Sequence, residues 1–277
     1  MIQSIDRAAR VLQLLAGRRH LGITELGSAL ALPPSTVHGI VKSLESHGLI
    51  AREPHGSRYM LGPALLKLSN VYLDTLDVRA RAMRWTRELA RRSRMAVRLG
   101  VELGEEVIVI HHNVRPDGSE QMPETGLSLP AHASALGKAL LAYSPAASSA
   151  LLRSPLGSLT GATITDPAHL AEQLALVAAR ALASEEEEAV LGECGLAAPV
   201  ADRSGAVVAA VGVVLPSTEW PPEADVVAAL RETARNISRE LGAPAWPPTA
   251  DVFEPGQPQP NGPEPAAGRE EAEDADD

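Results

Sequence analysis

The chain has 277 residues, enough for two domains, and its 45% apolar content must build cores from Ala, Leu and Val because aromatics are only 3%. One cysteine, Cys194, excludes an internal disulfide and a cysteine-cluster zinc site, charges interrupt the N-terminal apolar run as a signal peptide would not, and no stretch reaches the roughly 18 apolar residues of a membrane span. The expectation is a cytoplasmic protein without membrane contact. The formal charge of −10 is uneven: residues 251–277 carry nine acids and one base, residues 1–67 carry eight bases and four acids, and residues 68–250 carry 16 bases and 22 acids. An acidic chain with a basic head is the pattern to explain.

In chain order, residues 4–17 read as a helix capped by Ser4 or Asp6, with Ala8, Val11, Leu12 and Leu15 on one face and Gly17 as its stop. Thr24 caps a short second helix, TELGSALAL, with Leu26 and Leu30 inward. Pro33 and Pro34 open a third helix, where a missing amide donor costs nothing, and Val37, Ile40, Val41 and Leu44 form its apolar stripe before Gly48. Two extended pieces, LIARE and RYMLG, follow, joined by a PHGS turn. Residues 1–62 therefore read as a winged helix-turn-helix, whose third helix enters a major groove N-terminus first.

That geometry assigns DNA-facing roles to Thr24, Ser35, Thr36, His38, Gly39 and Lys42, with Arg52 and Arg58 flanking the wing and His55 at its tip. Gly39 costs about 1 kcal/mol relative to Ala in a helix, and close approach of DNA or of a neighbouring helix is a reason to tolerate it. Phosphate neutralisation suits the basic head. The competing reading is a three-helix module that binds protein or dimerises.

Residues 63–92 form a long helical pattern with no breaker after Pro63: one or two connecting helices and a place for dimerisation. Beyond residue 95 the period changes. MAVRLGVEL and EVIVIHHNV read as strands and SALGKALLAYS as a helix. DPAHLAEQLALVAARALA is a helix capped by Asp166, GLAAPVAD and AVVAAVGVVLP are buried strands, and EADVVAALRETARNISRELG is a final helix. This is an α/β or α+β sensor-type domain. Residues 243–277, rich in Pro, Gly, Ala and acid, read as disordered. Their acids either solubilise the chain, the favoured reading, or mimic DNA.

The chemical motifs are weak. SALGKA is not a phosphate loop, because His132 stands where its first glycine would be and Ala139 follows Lys138. The helix opening at Ser134 to Gly137 either attracts an anionic effector or is simply capped by Ser134. His111 and His112 are strand neighbours pointing to opposite faces, so a metal pair is disfavoured. Cys194 lacks a catalytic partner signature and reads as cavity-lining, and Glu185 to Glu188 read as a solvated helix start. No cofactor is expected. An enzyme, such as a small-molecule hydrolase with an appended helical module, lacks a nucleophile, base or metal set, and a ligand sensor acting through protein partners is the other alternative.

The quoted head segments, with SIDRAARVLQLLAG and ITELGSALALPPSTVHGIVKSLESHGLI, resemble the N-terminal domain of IclR-type transcription regulators. LPAHASALGKALLA and GECGLAAPVADRSGAVVAAVGV resemble that family's effector-binding domain. The resemblance spans about residues 3–242. Within the family, HHNVRPDGSEQMPETG followed by LPAHASALGKALLAYSP is similar to actinobacterial regulators of glycerol operons.

The resemblance implies an α+β chain with a winged head (1–62), a dimerising linker helix (63–78), a GAF-like effector-binding domain (79–242) and the acidic tail (243–277). It implies a repressor that binds a palindromic operator in double-stranded DNA as a homodimer or dimer of dimers. Its effector pocket would lie among Ser134, Ala135, Leu136, Gly137, Gly195, Leu196, Gly212 and Val214, bordered by Glu185, Glu193 and Cys194. Gly212 and Val214 replace the serines of members that bind small keto acids, which argues against such a ligand. A small anionic metabolite is expected, and the glycerol-operon resemblance narrows the effector to glycerol 3-phosphate or glycerol, with Arg115 and Asp117 as lid residues.

Overall fold

A computed structural model describes residues 2–118 and 121–249. The head packs α1 (Gln3–Arg18), α2 (Ile23–Leu30) and α3 (Pro34–Ser46) against a hairpin of β1 (Ile50–Arg52) and β2 (Tyr59–Leu61). Val11, Leu15, Leu26, Val37, Val41 and Ile50 close its core. The hairpin register sets Ile50 opposite Leu61 and Arg52 opposite Tyr59. Gly62 lets the wing cross the end of α3: a Cβ there would lie 2.2 Å from the Gly48 carbonyl oxygen.

Three local expectations are corrected here. Neither Ser4 nor Asp6 caps α1, whose N-cap is the extended Ile2, and Gly17 lies inside the helix, which ends at Arg18 with Arg19, at φ 61°, as its C-cap. Thr24 is not the cap of α2. Gly22 is, and its N–H donates to Glu25 Oε2 at 2.7 Å, so a carboxylate one turn on satisfies the amide of the cap residue itself.

The connecting pattern is two helices, α4 (Ala64–Thr75) and α5 (Asp77–Ser93), broken at Leu76, where the backbone turns extended. No Gly or Pro marks this break. Helix α4 has no buried residue among those described, and Leu66, Leu68, Val71 and Tyr72 are exposed along it.

The second domain is one antiparallel sheet, six strands among the described residues, in the order β5-β4-β3-β8-β7-β6. Its strands are β3 (Ala96–Leu103), β4 (Glu106–Asn113), β5 (Ser128–Pro130), β6 (Ala183–Glu186), β7 (Glu193–Ala201) and β8 (Val207–Pro216). Helices α5 and α9 (Ala224–Glu240) cover one face through Leu89, Val211, Leu230 and Ile237. Helices α6 (Ala135–Leu141), α7 (Pro145–Leu151) and α8 (Pro167–Arg180) cover the other through Leu136, Leu140, Leu170 and Ala210. Covered on both faces, β7 and β8 read as continuous apolar runs rather than alternating ones. Asp166 caps α8 as expected, accepting the His169 N–H at 3.0 Å.

Two further corrections concern the second domain. Glu185 to Glu188 are not a solvated helix start: Glu185 and Glu186 lie in edge strand β6, paired with β7, and Glu185 and Glu188 are buried. Long-range pairing here overrides the poor strand propensity of glutamate. Disorder does not begin at residue 243, since Trp246 Nε1 donates to the Pro199 carbonyl at 2.9 Å and Pro248 is buried. The acidic run 251–277 and its proposed roles lie outside the described residues.

Candidate functional site

In the head, the stripe Val37, Val41 and Leu44 faces inward, which leaves Ser35, His38, Gly39 and Lys42 exposed on α3 and Thr36 half-buried. A Cβ built on Gly39 would meet nothing within 4 Å among the described residues. The packing of the described residues therefore does not require a glycine there. Thr24 is exposed in the first turn of α2. The wing arginines are already engaged. Arg52 Nε donates to the Gly56 carbonyl at 3.2 Å across the turn, and Arg58 donates to Glu25 Oε1 at 3.0 Å. With the His20–Glu53 pair, the Arg58–Glu25 contact straps the wing to the rest of the head.

In the second domain, the expected pocket is present but nearly closed. Ser134, Ala135, Leu136, Glu185, Gly195 and Gly212 surround about 20 Å³, room for roughly one water molecule. Glu193, Leu196 and Val214 complete its wall. Two expected residues lie elsewhere. Cys194 follows Glu193 on β7, so strand alternation sends its thiol into the core on the α5 and α9 side. Gly137 faces Ala131, whose carbonyl oxygen would lie 2.3 Å from any added Cβ; glycine permits that backbone approach. The helix opening is capped, because Ser134 Oγ accepts the Gly137 N–H at 3.2 Å.

The charged groups around this pocket were mostly missed in sequence. Arg98, buried in β3, donates to Glu124 Oε2 at 2.6 Å and Oε1 at 2.8 Å, and to Glu193 Oε1 at 2.8 Å and Oε2 at 3.3 Å. Burial opposes its charge, but the bonds and charges of the two carboxylates outweigh it and hold the guanidinium above its ordinary pKa. Glu124 is also opposed by burial, yet Arg98 holds its carboxyl below the usual range. Lys138, fully buried in α6, donates to Glu188 Oε1 at 2.6 Å, Gln173 Oε1 at 3.0 Å and the Ser184 carbonyl at 3.3 Å. Glu185 Oε2 accepts the Glu188 N–H at 3.1 Å, and burial pushes the Glu185 carboxyl up to about 7. A lone cation inside an apolar run, as in AVRLGV and ALGKALL, is the signal that marks such sites, since buried charge demands partners.

Behind Arg98 lies a second, larger cavity of about 410 Å³, and Arg98, Glu193 and Val214 line both. His112 and Arg115 are on its wall. His112 Nδ1 accepts the Glu124 N–H at 3.3 Å, and burial lowers its pKa, which disfavours the charged ring. His111 faces the other side of the sheet, where burial and Arg79 lower its pKa. Arg115 donates to both oxygens of Glu219 at 2.8 Å and lies 3.2 Å from Asp117, so the expected lid residues are tied to each other and to the segment after β8.

Residues 4–54 match the IclR helix-turn-helix domain, and residues 70–239 match the C-terminal domain of the bacterial transcriptional regulator IclR. The glycerol operon regulatory protein of Streptomyces griseus is 44% identical over 247 residues, 87% of this chain and 97% of that one. An IclR transcriptional regulator from Silicibacter sp. TM1040 superposes with a TM-score of 0.77 at 25% identity, covering 89% of this chain and 99% of that one. An IclR homologue from Microbacterium hydrocarbonoxydans, crystallised with 4-hydroxybenzoate, does so with a TM-score of 0.70 at 26% identity over 86% and 99%. With both domains matched in order and a regulator aligned over nearly its whole length, the chain belongs to the IclR family of transcription regulators and is a ligand-responsive DNA-binding protein.

Proposed function

We propose that this regulator is a homodimer that represses a catabolic operon in the cytoplasm, that its two heads read a palindromic operator, and that it acts by binding rather than turnover. The observation that carries this reading is α3: its apolar stripe is spent on the core, while Ser35, His38, Gly39 and Lys42 stand clear on the outer face. Exposed Leu68 and Tyr72 on α4 support pairing with a second copy, since the described residues leave them uncovered. The likeness to a glycerol operon regulator favours glycerol utilisation as the controlled process and glycerol or glycerol 3-phosphate as the effector.

The test is a mobility shift on DNA upstream of the operon, repeated over a salt series. Phosphate contacts make log affinity fall steeply with log salt. Specific binding that ignores salt would sink the assignment. Addition of the effector changes operator affinity by about 5- to 150-fold, a typical coupling of about 1–3 kcal/mol.

A further inference from the structure

Resting on the reading of the second domain as the effector domain, we propose that the effector sits in the outer cavity against Arg98, Glu193 and His112, and that it is a neutral polyhydroxylated molecule rather than a phosphate ester. Size separates the two cavities. The inner pocket, at about 20 Å³, admits nothing larger than a water, whereas the outer one, at about 410 Å³, is within the range of small-molecule sites.

Charge then separates the ligand classes. Among the described residues, two cations face the outer cavity, Arg98 and Arg115, and both are already matched by carboxylates: Glu124 and Glu193 on the first, Glu219 and Asp117 on the second. The group carries two more negative charges than positive ones. A phosphate would enter against that excess and would have to displace a carboxylate that donors hold at 2.6–2.8 Å. Neutral hydroxyls face no such barrier. Each Arg98-bound carboxylate oxygen keeps a spare lone pair, and an O–H donor to ionised oxygen makes a strong hydrogen bond.

The complementary donor is also present. The His112 side chain is 4% exposed, and its Nε2 lies 3.3 Å from Glu124 Oε2 without completing a hydrogen bond among the described residues. With Nδ1 accepting the Glu124 N–H, Nε2 carries the proton, and a ligand hydroxyl oxygen at normal hydrogen-bond distance accepts from it in competition with Glu124 Oε2. Val214 and Pro216 supply apolar wall for the carbon skeleton. The anion expected from the opening of α6 finds that amide already taken by Ser134.

The test is a ligand-observed NMR titration of the full chain with glycerol, xylitol and glycerol 3-phosphate. Glycerol and xylitol bind, and glycerol 3-phosphate binds at least tenfold more weakly than glycerol. Glu193→Gln weakens the polyols and narrows their advantage over the phosphate ester. Met122→Trp, at an exposed residue on the cavity wall, weakens the polyols at least tenfold. Glycerol 3-phosphate binding as well as glycerol, no polyol binding at all, or Met122→Trp without effect on polyol affinity would each overturn the inference. Operator binding could survive all three, so the regulator reading fails separately, on the mobility shift.

Discussion

Lys138 is held inside the effector domain only because Glu188, Gln173 and a backbone carbonyl surround it. Breaking such a buried pair from one side leaves an uncompensated charge, which costs about 3–5 kcal/mol. Lys138→Met should lower stability by that order in chemical denaturation, and adding Glu188→Gln should recover a large part of the loss. An additive double mutant would show that the pair is not the unit. Glu185 has the opposite problem, a carboxyl raised to about 7 by burial, with Glu188 and Glu193 adding to the rise and Lys138 opposing it. Between its ordinary value near 4.5 and about 7, the folded state holds a proton that the unfolded state has lost. Stability therefore falls as pH rises through that window, by an amount of order 3 kcal/mol, and levels off above it. Glu185→Gln should flatten the decline, read as denaturation midpoints from pH 4.5 to 8. The sequence made the exposed face of α3 legible because an apolar stripe defines its opposite side. It hid the Arg98 cluster because the partners, Glu124 and Glu193, lie 26 and 95 residues away.

At the level of elements, α3 pays for Gly39 without any return among the described residues. Since an added Cβ meets nothing within 4 Å among the described residues, Gly39→Ala should stabilise the head by about 1 kcal/mol, and Gly39→Trp should fold normally yet lose operator affinity. Denaturation and mobility shift on both variants check this; a tryptophan variant with unchanged operator affinity would place DNA elsewhere. Helix α4 makes a second test. Leu68 and Tyr72 are one turn apart and exposed, so Leu68→Glu with Tyr72→Glu should shift sedimentation equilibrium from dimer toward monomer. Long elements with clear periodicity, such as α3, α8, α9, β7 and β8, were readable. The break at Leu76 was not, because no Gly or Pro marks it, and β6 was not, because an acidic edge strand owes its form to pairing with β7.

Across the whole molecule, the charge pattern has to be divided before it explains anything. A chain of net −10 would repel DNA, but residues 1–67 hold twice as many bases as acids. The head is therefore the electrostatic footprint, and the acidic second domain is the place where the ligand acts. The α/β layering was foreseeable from the change of hydrophobic period, whereas the closed inner pocket and the roomy outer one depend on side-chain packing from several elements. The most direct test of the account is fluorescence anisotropy of a labelled operator titrated with the full chain at several salt concentrations, with and without glycerol. The account predicts a steep loss of affinity with salt and a glycerol-dependent change of about 5- to 150-fold at fixed salt. Operator binding indifferent to salt, or indifferent to every polyol tried, would contradict it.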